Sequence, residues 1–360
     1  MLTCAVDSSL KRIQVDGFSF PLGVYPLESM VPTPGYTVEF EPADTDSDEW
    51  DEWPDRYLFD INISANRLGA LLRLLLTLAP GRVFPILDVL GVDAYREVDP
   101  YLAYELIGIE HVIDALRRFE TFLLEDGLVG FGVMSENPFM YLFLDEHKIL
   151  TLRVEVHLRE QVEAMLAAFE LMPVEELASV DSSTHEHTSV LIAPEDRPDL
   201  LSPEEIVEYL RDHWLLTLNV DPESNVDDEG NDLGFTAWRC LVRCRMEKPT
   251  PQTRYAEVFL LADGLMRAEE LALESTGEWP DNNSKQPQRS APSTSTAPKP
   301  TRGKPTEQPS EDVELTERAM VLADRVLAEE VAKVLREPAM IRSIEQAKAA
   351  RVLRVRWLEG

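Results

Sequence analysis

Apolar and polar positions alternate along several stretches of the chain and follow helical spacing in others. Between Arg56 and Ile63, large apolar residues occupy every second position, which is typical of a half-buried strand. A leucine-rich helix through Leu78 is predicted next, with Ser64 as its N-cap, followed by a strand at 83–90. Strand, helix and strand with short joints predict a right-handed βαβ unit.

The same two periods continue to about residue 274. Asp99-Pro100 predicts the start of a helix whose apolar face continues to Leu123. Ser202-Pro203-Glu204-Glu205 is a capping box with proline at the first helical position, and it predicts a helix to about His213. Further strands are predicted at 128–134, 139–144, 149–156, 214–220, 235–246 and 254–262, and further helices near 162–169 and 265–274. The chain is therefore predicted to be α+β, with mixed or antiparallel sheets and flanking helices.

The order helix, three strands, helix occurs twice, at 109–171 and at 203–274. One hypothesis is a duplicated α-β-β-β-α unit; the other is the recurrence of a common element order, since residue identity between the copies is not evident. This order in an acidic protein also looks like that of the chaperones of specialised bacterial secretion. That resemblance, in element order alone, implies an acidic chaperone for basic clients.

Composition changes after residue 275. Residues 276–312 are rich in Pro, Ser and Thr and almost free of large apolar side chains, which predicts a disordered linker. From Val313 to Arg336 apolar residues recur at spacings of 3 and 4, which predicts an amphipathic helix, and the stretch from Ile341 is basic. We therefore expect an N-terminal α+β part at 1–172, a second α+β part packed on it at 173–275, a linker at 276–312 and a C-terminal helical segment at 313–360.

The chain is strongly acidic, with 66 Asp and Glu against 34 Lys and Arg and a net charge of −32. Such a field repels nucleic acid and anionic membranes and attracts basic partners, although solubility or adaptation to salt explains the charge without any specific cationic partner and is preferred. We expect a cytoplasmic protein, because no apolar run is long enough to span a bilayer and no secretory signal is evident. Its three cysteines are interpreted as reduced thiols; Cys240 and Cys244 share one face of a strand, too far apart for a disulfide.

His185-Glu186-His187, with Asp181 near, is a candidate metal site. We interpret these histidines as solvated, because they lie in a polar Ser/Thr-rich stretch and the alternate side chains of extended chain are expected to point apart. No metal and no cofactor are expected. Asp44-x-Asp46-x-Asp48 lacks the glycine of a calcium loop. Gly127-x-x-Gly130-x-Gly132 enters a strand rather than a helix, unlike a phosphate-binding loop.

Aromatic and arginine side chains are the remaining candidates, as interaction residues. Two tryptophans lie in an acidic loop, three arginines share one face of the strand at 238–246, and the basic end adds three more with a tryptophan. The strand arginines either pair with the protein's own carboxylates or receive an anionic ligand. The candidates are Trp50, Trp53, Arg239, Arg243, Arg245, Arg351, Arg354, Arg356 and Trp357.

The sequence thus favours a non-catalytic interaction or scaffold protein with a tethered amphipathic and basic helix. One alternative is an enzyme whose site is built from dispersed residues, with Arg239, Arg243, Asp60 and His213 as the nearest candidates. Another is the acidic chaperone. The pattern identifies neither catalytic residues nor the protein partner.

Overall fold

The computed structural model describes residues 4–43, 53–192, 197, 199–248, 252–277 and 314–358. The chain is α+β, as predicted, and its strands pair in antiparallel sheets flanked by helices. It forms two compact units: unit 1 comprises Met1–Gly91 and Glu97–Val220, and unit 2 comprises Val92–Arg96 and Asp221–Gly360. Trp50, its acidic neighbours and most of the predicted linker lie outside the described residues.

Unit 1 contains five α-helices and fifteen strands within its described residues. The helices are α1 (Ala65–Leu75), α2 (Ile109–Arg118), α3 (Glu120–Glu125), α4 (Arg159–Ala168) and α5 (Pro203–Trp214). The strands are β1 (Ala5–Val6), β2 (Gln14–Val15), β3 (Phe18–Ser19), β4 (Val24–Pro26), β5 (Gly35–Glu41), β6 (Arg56–Asn62), β7 (Arg82–Leu90), β8 (Val98–Ala103), β9 (Ile107–Gly108), β10 (Val129–Glu136), β11 (Phe139–Leu144), β12 (Leu150–Glu155), β13 (His185–His187), β14 (Leu191–Ile192) and β15 (Leu216–Leu218).

The main sheet of unit 1 has the strand order β15-β8-β7-β10-β11-β12-β6-β5, and β9 also pairs with β7. Alternation places Phe59, Leu142 and Leu152 on one face, where they join the buried side chains of Leu71 and Leu210 from α1 and α5. The predicted βαβ unit is wrong as a pair of neighbouring strands, because β10, β11 and β12 lie between β6 and β7. Local periodicity identifies each strand and cannot identify its neighbour.

The helix predicted to start at Asp99-Pro100 is also wrong. Residues 98–103 form β8, which pairs with β7 on one side and β15 on the other. Burial alternates strictly along β8, so the strand pattern prevails over the local helix-start signal. The capping box is confirmed: Ser202 Oγ accepts a hydrogen bond from the Glu205 amide at 3.3 Å, and Glu205 Oε2 accepts one from the Ser202 amide at 2.8 Å.

Unit 2 is built on a four-stranded antiparallel sheet of order β18-β16-β17-β19 in its described residues. Helix α6 packs on one face, and α7 and α8 pack on the other. Cys240 and Cys244 are free and buried on the α6 face, as the alternation predicts. The elements are β16 (Thr236–Lys248), β17 (Gln252–Ala262), α6 (Leu265–Ser275), β18 (Glu314–Val326), α7 (Ala328–Leu335), α8 (Met340–Glu345) and β19 (Arg351–Trp357).

The C-terminal segment therefore differs from the predicted tethered helix. Residues 314–326 are strand β18, hydrogen-bonded along β16, and only α7 and α8 are helical. The apolar spacing in this stretch fits a helix, but pairing with β16 satisfies the backbone and packs Met320 and Ala323 against the core under α6. The segment is part of the core of unit 2 and not a free partner-binding helix.

The predicted division at residue 172 and the duplicated unit are not found either. Helix α5 and strand β15 belong to unit 1, where β15 pairs with β8. Strands β16 and β17 belong to unit 2, so the second helix-strand-strand-strand-helix series is divided between two sheets. Among the described residues, no helix combines the length and apolarity needed to cross a membrane.

Candidate metal centre

Three histidine side chains meet in unit 1. His147 lies in the turn between β11 and β12, and His185 and His187 are the two ends of β13. Their ring centroids are 4.8–4.9 Å apart and each pair of ring planes makes an angle of 70–74°. The rings therefore stand in a nearly threefold arrangement around a common point.

The hairpin turn holds His147 in place. The Ile149 amide donates to Asp145 Oδ1 at 2.7 Å, and the Asp145 amide donates to the Ile149 carbonyl at 3.1 Å. Lys148 completes the turn with a positive φ of 65°. The Lys148 amide also donates to the Asp145 carbonyl at 3.2 Å, so three hydrogen bonds from backbone amides within the turn fix the position of His147.

Pairing of β13 with β4 holds the other two histidines. The expectation that His185 and His187 point apart is wrong, because side chains two residues apart on a strand lie on the same side. Glu186, between them, points away and accepts a hydrogen bond from the Tyr25 hydroxyl at 2.8 Å. Strand formation in a polar stretch thus turns two apparent loop histidines into a pair.

The Nδ1 atoms all face hydrogen-bond acceptors. His185 Nδ1 lies 2.7 Å from the Ser183 carbonyl oxygen, and His187 Nδ1 lies 2.7 Å from that of Gly127. His147 Nδ1 faces a carboxylate oxygen of Asp145 at 3.5 Å and one of Glu146 at 3.4 Å. Since a carbonyl or carboxylate oxygen can only accept, we assign the hydrogen to Nδ1 in each ring.

The Nε2 atoms converge. Those of His185 and His187 are 3.0 Å apart, and those of His147 and His185 are 3.2 Å apart. With hydrogen on every Nδ1, the neutral rings present lone pairs to one another and no donor lies between them. Nitrogen ligands at the 2.0–2.1 Å typical of zinc would be separated by about 3.3 Å in a tetrahedron, which matches the observed spacing.

The charges around the three rings are unequal. Burial tends to lower the pKa of His147, but the hydrogen bond with Asp145 and the carboxylates of Asp145, Glu146 and Asp181 outweigh it and raise that pKa. Burial lowers the pKa of His187, and the hydrogen bond with the Gly127 carbonyl only partly opposes it. A cation among the rings would therefore lie next to carboxylates that compensate its charge.

Lys148 is a second unusual group beside this centre. It is almost fully buried, and its ammonium group donates to the Val129 carbonyl oxygen. Burial lowers its pKa to about 8, although the negative charges of Asp126 and Asp145 act in the opposite direction. The buried side chain of Lys148 thus anchors the turn that contains His147 to strand β10.

His147 is the residue that sequence reasoning missed. It lies 38 residues before His185, inside a turn that reads as an ordinary acidic hairpin loop. No ligand spacing marks it, because the pairing of β13 with β4, not the local sequence, brings the two segments together. The one available signal was the His-x-His pair itself, because strand alternation places both of its histidines on the same side of the strand.

The arginines predicted at two separate places meet on one face of the sheet of unit 2. The register puts Arg354 opposite Phe259, which is opposite Arg239, and puts Arg356 opposite Glu257. This surface, here named the arginine face, consists of Arg239, Arg243, Arg245, Arg354 and Arg356.

Acidic side chains lie among these arginines. Glu257 binds both Arg239 Nε at 2.8 Å and Arg356 Nη2 at 2.6 Å. Glu317 lies 3.0 Å from Arg245 and 3.6 Å from Arg243. The internal pairing predicted for the strand arginines is therefore present, and the side chains of Arg239, Arg245 and Arg356 still remain about half exposed.

Of the other predicted interaction residues, those that the structure describes, Trp53, Arg351 and Trp357, have contacts within their own units. Trp53 packs its ring 5.3 Å from that of Phe139 and beneath the guanidinium of Arg56. Trp357 packs against the core under α6, and Arg351 donates to Ser343 Oγ at 2.6 Å.

The dispersed residues suggested for an enzyme have local partners instead. Asp60 accepts a hydrogen bond from Thr151 at 2.9 Å, and the ring of His213 stacks on that of Tyr209 at 3.6 Å. Arg239 pairs with Glu257, in unit 2. Asp60 and His213 belong to unit 1, and Arg243, like Arg239, belongs to unit 2.

Comparisons with known proteins add no family or relative. No protein-family model matches the chain. No curated protein and no solved structure matches it either.

Proposed function

We propose that unit 1 binds one divalent transition-metal ion, zinc in the first place, through the Nε2 atoms of His147, His185 and His187. The observation that carries this proposal is the convergence of the three Nε2 atoms while every Nδ1 faces an acceptor. Imidazole suits zinc, copper, iron and nickel, and zinc accepts a three-histidine set without demanding a particular geometry.

The metal would join two segments that are distant in the sequence. His147 belongs to the β11–β12 hairpin, and His185 and His187 belong to β13. Because the three ligands are assembled only in the folded chain, binding energy becomes folding energy. The Nδ1 partners support this role, since such outer contacts orient ligating histidines and increase their basicity.

Replacing His147 with alanine should weaken zinc binding by about 100-fold or more, because two imidazoles remain from a three-ligand site. The measurement is calorimetric titration of zinc into metal-free full-length protein, with one zinc per chain expected for the wild type. Zinc at about 100 times its dissociation constant should also stabilise the wild type by about 2.7 kcal/mol against thermal unfolding.

The matched control is His157→Ala. His157 follows β12, its side chain is 62% exposed, and it pairs with Glu155 rather than with another histidine. Zinc affinity should be unchanged in this variant. Equal affinity of the wild type and His147→Ala would contradict the proposal, since binding would then take place elsewhere.

A second candidate function is protein interaction through the arginine face, and it retains the interaction class predicted from the sequence. The supporting observation is the gathering of five arginines from two strands on one sheet face of a chain with net charge −32. The chemistry fits an acidic segment of a partner protein, because an exposed guanidinium group can bind a carboxylate through two parallel hydrogen bonds. A cytoplasmic location belongs to this proposal, and the free thiols of all three cysteines support it.

The double variant Arg245→Glu/Arg354→Glu should abolish binding of a fluorescent polyglutamate peptide, measured by anisotropy at low ionic strength. Charge reversal replaces attraction by repulsion, and wild-type binding should weaken as salt is added. The control is Arg267→Glu on α6, which packs on the opposite face of the same sheet. If all three proteins bind alike, or none binds, the arginine face is not the docking site. A wild type that binds polylysine but not polyglutamate would favour the acidic chaperone.

A further inference from the structure

The ligand set of the candidate metal centre, His147, His185 and His187, is incomplete for zinc within the described residues. Zinc takes four ligands at a structural site, and three protein ligands plus an exchangeable one at a catalytic site. The three histidine nitrogens lie within 4.8 Å of one another, and no further cysteine, histidine or carboxylate ligand atom of the described residues joins that group. One of the four coordination positions of zinc therefore has no protein ligand among the described residues.

The nearest carboxylates do not fill it. Asp145 and Glu146 approach His147 from its Nδ1 side, at 3.5 and 3.4 Å, whereas the ligating atom is Nε2 on the far edge of the ring. The second oxygen-rich group in this region contains these two carboxylates with His147 and excludes His185 and His187. Asp145 and Glu146 therefore contact the ligand His147 and do not coordinate the metal.

The three histidine side chains are partly exposed to solvent. The side chain of His147 is 20% exposed, and His185 and His187 are both partly exposed. The surroundings are negative, because the carboxylates of Asp145 and Glu146 lie 3.5 and 3.4 Å from His147. A ligand arriving from solution must therefore be small and carry little negative charge.

We infer that the fourth coordination position is open to solution and takes water or a small monovalent anion, while excluding divalent oxyanions. This inference rests on the proposed metal site. It goes beyond that site by assigning an exchangeable position, the feature that distinguishes a reactive zinc centre from a purely structural one.

The test uses full-length protein loaded with cobalt(II) in place of zinc and follows the visible absorption of the cobalt ion. Sodium azide should change this spectrum in a saturable way, and sodium sulfate at equal ionic strength should not. Glu146→Gln, which removes one neighbouring negative charge without removing a ligand, should bind azide several-fold more tightly.

The outcomes separate the two proposals. A His147-dependent cobalt spectrum that azide leaves unchanged would overturn the open position and leave metal binding intact. A spectrum that sulfate changes as readily as azide would overturn the charge selectivity. Absence of any cobalt spectrum that depends on His147 would overturn metal binding, and the open position with it.

Discussion

Replacing Arg325 with methionine should destabilise unit 2 by about 3–5 kcal/mol, because the substitution removes the guanidinium that hydrogen-bonds the buried carboxylate of Asp93. A second cation near this carboxylate, Arg96, lies 4.0 Å away. Arg325 is 3% exposed, and the side chain of Asp93 is completely buried. Arg325 Nε donates to both Asp93 oxygens at 2.9 and 3.0 Å, and its backbone amide donates to one of them at 2.7 Å. Its guanidinium also donates to Asn225 Oδ1 at 3.3 Å and to the Val226 carbonyl.

The measurement is urea unfolding of the full-length protein, followed by tryptophan fluorescence because Trp238 lies beneath the Arg325 guanidinium. Arg267→Met is the matched control; its exposed pair with Glu270 is worth little, so the unfolding midpoint should stay in place. The double variant Asp93→Leu/Arg325→Met should recover part of the lost stability, since the buried carboxylate is removed together with the guanidinium that pairs with it. A single variant as stable as the wild type would show that the pair is not buried in solution.

Replacing Val242 with aspartate should cost about 4 kcal/mol or more, because the new carboxylate would enter an apolar core without a partner. Val242 is fully buried on the α6 face of β16, in the same core as Cys240, Cys244 and Ala272. By contrast, Arg243→Gln should cost about 1–2 kcal/mol. The side chain of Arg243 is only 10% exposed, more buried than the strand pattern predicts, and lies 3.6 Å from Glu317.

Chemical unfolding of Val242→Asp and Arg243→Gln is measured together with that of Val242→Ala. This comparison separates the cost of lost packing from the cost of the buried charge. The alanine variant measures lost packing, and the further loss in Val242→Asp measures the buried charge. Equal losses for Val242→Asp and Arg243→Gln would contradict the assignment of the two faces of β16, since only one of them carries an apolar core at this position.

Much of the fold could be predicted because its signals are local. Strands β10, β11 and β12 and helix α5 were found from period-two alternation and from one capping box, which act over a few residues. Alternation also correctly placed Cys240 and Cys244 on one buried face and the strand arginines on the other. These features follow from backbone geometry and side-chain burial within a single element.

Where local signals conflicted with strand pairing, the sequence alone gave the wrong element. Asp99-Pro100 resembles a helix start, and 314–326 carries apolar residues at helical spacing, yet both stretches are strands. In each, a neighbouring strand supplies backbone partners and covers the apolar side chains, which outweighs a weak intrinsic preference. The choice of neighbour is a long-range property that periodicity does not contain.

The geometry of the candidate metal centre also depends on contacts between segments that are distant in the sequence. The sequence determined the His-x-His pair, the acidic turn around His147 and the strongly negative charge of the chain. Only the tertiary structure decided that β13 pairs with β4, that both its histidines face the turn, and that His185 Nε2 lies 3.2 Å from that of His147 and 3.0 Å from that of His187. A ligand set of this kind depends on distances between segments, and those distances are fixed by the packing of the whole unit rather than by any pattern along the chain.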